Sequence, residues 1–104
     1  MLFVTYWELN ENMPVADRLA MAQKLTSSGL WPGKEVEILR WDMTPDGWGI
    51  TLFQAETAAA VEQNLDLWRA AGAGMFKVTK TAPATPVQEV MARMTEAVKT
   101  LGAR

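Results

Sequence analysis

Glu35-Val36-Glu37-Ile38-Leu39-Arg40-Trp41-Asp42-Met43-Thr44-Pro45-Asp46-Gly47-Trp48-Gly49-Ile50-Thr51-Leu52-Phe53-Gln54-Ala55 decides the fold. Its flanks, Glu35 to Met43 and Trp48 to Ala55, are rich in β-branched and aromatic side chains, which suit a pleated, half-buried surface. Between them stands Thr44-Pro45-Asp46-Gly47. Proline presets one turn dihedral and Asp-Gly accepts the positive φ of a tight reversal, so the two runs should form a hairpin. Upstream, Leu2 to Trp7 reads as another strand, broken by Asn10-Glu11-Asn12. Pro14 suits the first turn of a helix, where its missing N–H costs nothing. Val15, Leu19, Ala22 and Leu25 then recur at helical spacing until Ser27-Ser28-Gly29, and Trp31-Pro32-Gly33 is a turn. Downstream, Thr57 is placed to cap a second helix with the stripe Ala58, Val61, Leu65 and Trp68, and Gly72 falls where a left-handed C-cap would. Met75 to Thr81 reads as a fourth strand. Thr85, Pro86 and Gln88 resemble a capping box opening a third helix, whose apolar face is Val87, Val90, Met91, Met94, Val98 and Leu101.

The order is β-α-β-β-α-β with an added C-terminal helix. This predicts an α+β, ferredoxin-like single domain over 1–104, with its core in 1–81 and the extra helix in 85–102. Two right-handed crossovers put the first two helices on one face of an antiparallel sheet. A lone sheet of this kind should be polar on its other face. Here Leu2, Val4 and Tyr6 alternate with Phe3, Thr5 and Trp7, Val36 and Ile38 oppose Leu39 and Trp41, and Ile50 and Leu52 oppose Phe53. Apolar groups on both faces imply a cover for the face away from the helices. A second copy of the chain is the leading expectation, ahead of the third helix or a ligand.

Composition narrows the function. The 104 residues are 49% apolar and 21% charged, with ten basic against twelve acidic side chains and a net charge of −2. That balance offers no electrostatic footprint for nucleic acid or an anionic membrane. There is no cysteine and no histidine, so thiol chemistry and the commonest general base and metal ligand are absent. No carboxylate cluster has oxygen-ligand spacing, so neither a metal nor a cofactor is expected. The opening Met-Leu-Phe-Val-Thr-Tyr-Trp-Glu lacks the basic leader of a signal peptide, and no window approaches a membrane span, which makes the cytoplasm the default location.

The opening Met-Leu-Phe-Val-Thr-Tyr-Trp (1–7), Val36-Glu37-Ile38-Leu39-Arg40-Trp41 and Asp46-Gly47-Trp48-Gly49, together with element order and length, resemble the dimeric α/β-barrel superfamily over roughly residues 1 to 80. That superfamily includes cofactor-independent antibiotic-biosynthesis monooxygenases and muconolactone-isomerase-like proteins. Within it the chain is most similar to a small bacterial family of unknown function. The resemblance implies a homodimer whose two sheets close over a central cavity, and it carries over no catalytic residue.

On that reading Thr5, Trp7, Glu37, Trp41, Thr51, Phe53 and Lys77 share the strand face away from the helices and line an inter-sheet cavity for a small aromatic or apolar molecule. Aromatic walls with a few polar groups are typical of such sites. Burial would raise the pKa of Glu37 or lower that of Lys77, making either a general base for cofactor-free proton transfer, isomerisation or oxygenation. Trp68 belongs to the core stripe, Trp31 plugs a loop, Tyr6 is a buried tyrosine or a ligand contact, and Arg40 with Asp42 reads as a solvated edge pair. Asp46 to Phe53 also resembles the octamer of RNA-recognition motifs, in which Trp48 and Ile50 would face RNA. Asp46 and Ile50 depart from that pattern, and the acidic chain lacks phosphate attraction. The competing class is a non-catalytic interaction module in which the same residues only seal a dimer.

Overall fold

A computed structural model describes residues 1–72 and 74–103. The elements are β1 (Leu2–Leu9), α1 (Val15–Ser27), β2 (Val36–Met43), β3 (Trp48–Ala55), α2 (Ala58–Ala71), β4 (Phe76–Pro83) and α3 (Val87–Gly102). The sheet is antiparallel in the order β2-β3-β1-β4. This is the ferredoxin-like α+β arrangement with a C-terminal helix added. The hairpin closes as its turn chemistry requires: Thr44 N–H donates to the Trp48 carbonyl at 2.8 Å, and Gly47 takes the left-handed φ of +80°.

The facing of the strands reverses the sequence reading. Phe3, Thr5 and Trp7 of β1 and Thr51, Phe53 and Ala55 of β3 are buried. Phe3, Val36, Phe53 and Ala55 share a core cluster with Ala60 and Val61 of α2. They therefore face the helices. Leu2, Val4, Tyr6, Ile50 and Leu52 make up the other, open face and are half-buried. Alternation fixes which residues share a face but not which face the helices choose, and two apolar faces leave that choice undecided in the sequence.

In β2 the alternation itself changes. Ile38 stands opposite Phe53 and Arg40 opposite Leu52, which leaves Leu39 without a partner on β3. This bulge inserts one residue and flips the parity of the rest of the strand. Val36, Ile38, Trp41 and Met43 consequently share the helix side instead of splitting in pairs. A second shift, between Glu8 and Leu9 against β4, leaves Lys77 outside the ladder.

Thr57 caps α2 as expected, its hydroxyl accepting from the Ala60 N–H at 3.2 Å. Three expectations about helix ends and stripes are corrected. Gly72 is extended, with φ −173°, and the left-handed residue is Gly74. Thr85 makes no cap hydrogen bond, and Pro86 occupies the N-cap of α3. Of the α1 stripe only Leu25 is buried and Ala22 half-buried, while Val15 and Leu19 project from the N-terminal half. Leu25 packs with Trp31, Trp68 and Met75. The helix is thus pinned at its C-terminal end and stands off the sheet at its start.

Candidate functional site

Five aromatic rings from five different segments meet on the helix side. Trp31 from the loop before β2 packs edge-on to Trp41 of β2 at 4.5 Å between centroids and to Trp68 of α2 at 5.2 Å. Trp41 and Trp68 lie 5.7 Å apart. Trp68 continues to Phe76 of β4, and Phe76 to Trp7 of β1, each at 5.8 Å. Tilted contacts of this kind set positive ring edges against negative faces, and each adds about 0.5–1.5 kcal/mol to simple burial.

Two cavities adjoin this wall. A small one of about 130 Å³ is lined by Thr5, Trp7, Trp31, Trp41, Thr51 and Phe53, among others including Lys77. A wider apolar groove of about 300 Å³ opens between α1 and the sheet. Its floor is Trp7, Trp41, Trp68 and Phe76, its far wall Val15, Leu19 and Ala22, and its rim Arg18. The groove exists because the first half of α1 stands away from the sheet.

Six of the seven residues expected to line a cavity thus do surround one. It lies between the sheet and its own helices, not between two sheets. Thr5, Trp7, Thr51 and Phe53 are buried there, and Trp41 reaches the same side through the bulge at Leu39 while remaining 44% exposed. Glu37 is the exception: it pairs across from Gln54 on the open face and is exposed. Lys77 keeps its ammonium outside the cavity, 2.9 Å from Glu11 and 3.8 Å from Glu8. Its hydrogen bond to Glu11 and the attraction of that carboxylate raise the lysine pKa above its ordinary value. A general base at neutral pH would need the opposite shift.

The buried polar groups are largely committed to one another. Trp7 Nε1–H donates to Thr51 Oγ1 at 3.1 Å, and the hydroxyls of Thr5 and Thr81 share a hydrogen bond at 2.9 Å. Among the described residues the buried side-chain atoms without partners include Trp31 Nε1, so a residue that lines the small cavity keeps a free indole N–H. Asn64 was missed by the sequence reading. It is 1% exposed, and its Oδ1 accepts the Gly33 N–H at 2.7 Å, tying the Trp31-Pro32-Gly33 turn to α2. Its position three residues after Val61 and four before Trp68 was the available signal, since it puts a polar residue on a buried stripe.

No known family model matches this sequence, and no curated protein matches it. A solved structure, the crystal structure of protein Atu4242 from Agrobacterium tumefaciens, is similar at 12% identity with a TM-score of 0.48. The match covers 83% of this chain and 93% of that one. The fold assignment stands on strand order, register and crossovers.

The open face has a chemistry of its own. Trp48 and Tyr6 lie 5.9 Å apart beside Ile50, so β3 does face as an RNA-recognition octamer would. Glu8, Glu37 and Asp42 share that face, and Asp42 holds Arg40 at 2.8 Å as the expected solvated pair. The Tyr6 hydroxyl donates to Glu8 at 3.0 Å, which raises the phenol pKa. Carboxylates among the rings oppose phosphate binding. No described group of histidine, cysteine, aspartate and glutamate side chains has metal-site geometry, and no described helix is long and apolar enough to cross a membrane.

Proposed function

We propose that this domain holds a small, flat, apolar or aromatic molecule in the cleft between its sheet and α1, and that it works as a cofactor-free homodimer of the dimeric α/β-barrel kind. The observation that carries the reading is the apolar groove of about 300 Å³ floored by Trp7, Trp41, Trp68 and Phe76. Its size falls at the lower end of the range typical of small-molecule sites. Edge-to-face packing leaves parts of these rings free to stack on a planar guest. The deeper threonine hydroxyls are already bonded to protein partners, which favours binding over proton transfer. The homodimer draws support from the open sheet face, where Leu2, Val4, Tyr6, Ile50 and Leu52 form an apolar surface on the side away from α1 and α2.

The test uses 1-naphthol, a flat aromatic with one hydroxyl. It should quench tryptophan fluorescence saturably and raise Tm, because a ligand at 100 times its Kd stabilises the folded state by about 2.7 kcal/mol. Trp41→Ala should remove both responses while leaving a folded protein, since Trp41 is half in solvent. Absence of quenching and of a Tm shift at millimolar 1-naphthol, or responses that survive Trp41→Ala, would overturn the reading.

The alternative, a non-catalytic interaction module, is favoured by a different observation: α3 buries no residue.

A further inference from the structure

We infer that α3 is an intermolecular arm, and that its apolar stripe is covered by the α3 of a second copy of this chain. The inference rests on the homodimer reading above and names its contact surface.

The arm protrudes. The radius of gyration is 17.3 Å, against about 13 Å for a compact chain of this length. The long axis is 58 Å while the other two are 30 and 19 Å. Sixteen helical residues span about 24 Å, which accounts for most of the excess length.

The stripe is both apolar and evenly spaced. Val87, Met91, Met94, Val98 and Leu101 follow one another at intervals of four, three, four and three, which is the seam of a heptad repeat. All five are between 62% and 73% exposed. A 16-residue helix without tertiary contacts is marginal in water, so a regular helix here calls for a partner surface.

Charge placement identifies that partner as a second copy. In the heptad set by this seam, the helical positions flanking it are Gln88, Val90, Thr95, Ala97 and Gly102, none of them charged. Glu89, Arg93, Glu96 and Lys99 all fall on the outer side, where Lys99 and Glu96 pair with each other at 3.5 Å. Two identical helices can therefore meet along the stripe with no like charges opposed, the condition that self-association imposes and that e and g charges would otherwise violate. Area agrees. The stripe leaves on the order of 500 Å² of apolar surface bare, at the top of what a monomer tolerates. A standard interface takes about 800 Å² from each partner, and the open sheet face offers the remainder.

The absence of native cysteine makes the test direct. Met94 is the centre of the stripe, and in a parallel pair it meets its own counterpart. Met94→Cys in the full-length chain should form a disulfide-linked dimer under mild oxidation. Thr100→Cys, on the outer side of the same helix, should not. Met94→Lys should weaken the dimer on the order of 100-fold by sedimentation, because it buries an unpaired charge. If the unmodified chain is a dimer but Met94→Cys does not cross-link and Met94→Lys dimerises as well as the native chain, the α3 assignment fails while the homodimer stands. A monomer at 100 μM defeats both. Cross-linking of Thr100→Cys as fast as Met94→Cys would also defeat the assignment.

Discussion

Replacing Gly49 by alanine interrogates the facing of the central strands. A Cβ at this position runs into the carbonyl oxygen of Asp42 and the six-membered ring of Trp7. Neither obstacle is a flexible chain end. Asp42 belongs to the paired backbone of β2, opposite Ile50, and the Trp7 indole is 6% exposed and tied to Thr51 at 3.1 Å. Relief requires either splaying β2 from β3 or turning the indole away, which breaks the bond to Thr51 and strands a buried N–H. Overpacking of this sort costs about 1–3 kcal/mol, and a buried donor without its acceptor costs a similar amount. The expected loss is about 2–6 kcal/mol, a large share of the stability of a small domain. At roughly 4–8 °C per kcal/mol, Tm should fall by at least about 8 °C. Urea and thermal unfolding followed by circular dichroism and tryptophan fluorescence measure it, beside Gly47→Ala as control. Gly47 has φ +80° with no atom within 4 Å of its virtual Cβ, so only the left-handed penalty of about 1–2 kcal/mol applies. If Gly49→Ala proves no worse than Gly47→Ala, Trp7 does not lie against β3 on the helix side, and the groove loses its floor.

Two further substitutions probe the supports of the site. Asn64→Ala should destabilise by about 1–3 kcal/mol in urea unfolding, since it leaves the Gly33 N–H without the acceptor now at 2.7 Å. A change below about 0.5 kcal/mol would show that this clamp is idle. Glu11→Gln removes the exposed pair with Lys77, whose ammonium lowers the Glu11 pKa and is itself raised in return. The depressed carboxylate contributes above its ordinary value of 4.5 and loses that contribution as pH falls through its folded value; the elevated lysine contributes below 10.5 and loses it as pH rises through its own. The difference in urea midpoint between native chain and variant should therefore be small, flat between pH 4.5 and 10.5, and smaller as pH falls below 4.5. No difference between the two proteins anywhere between pH 4.5 and 10.5 refutes the pairing.

The hairpin and the element order were legible because each follows from local chemistry: Pro-Asp-Gly at the turn, Thr57 at a helix start, and strict alternation within β1 and β3. Absolute facing was not legible. Parity groups Thr5, Trp7, Thr51 and Phe53 correctly, yet Leu2, Val4, Tyr6, Ile50 and Leu52 are as apolar as their neighbours, so pattern alone supplies no reason to choose a side. Trp41 reaches the same group by a second route, because the extra residue at Leu39 cancels one alternation. The environment of Lys77 was hidden because its partner Glu11 comes from a loop 66 positions away in sequence. Only tertiary geometry could bring the two together.

The unpaired Leu39 makes one wall of the groove depend on strand length and not on residue identity. Deleting it would carry Arg40, Trp41 and the rest of β2 back by one step against β3 and exchange their sides, while every amino acid kept its nature. Such a strand should accept many substitutions and almost no single-residue insertion or deletion. A variant library that samples both kinds of change across 36–43 would display that asymmetry.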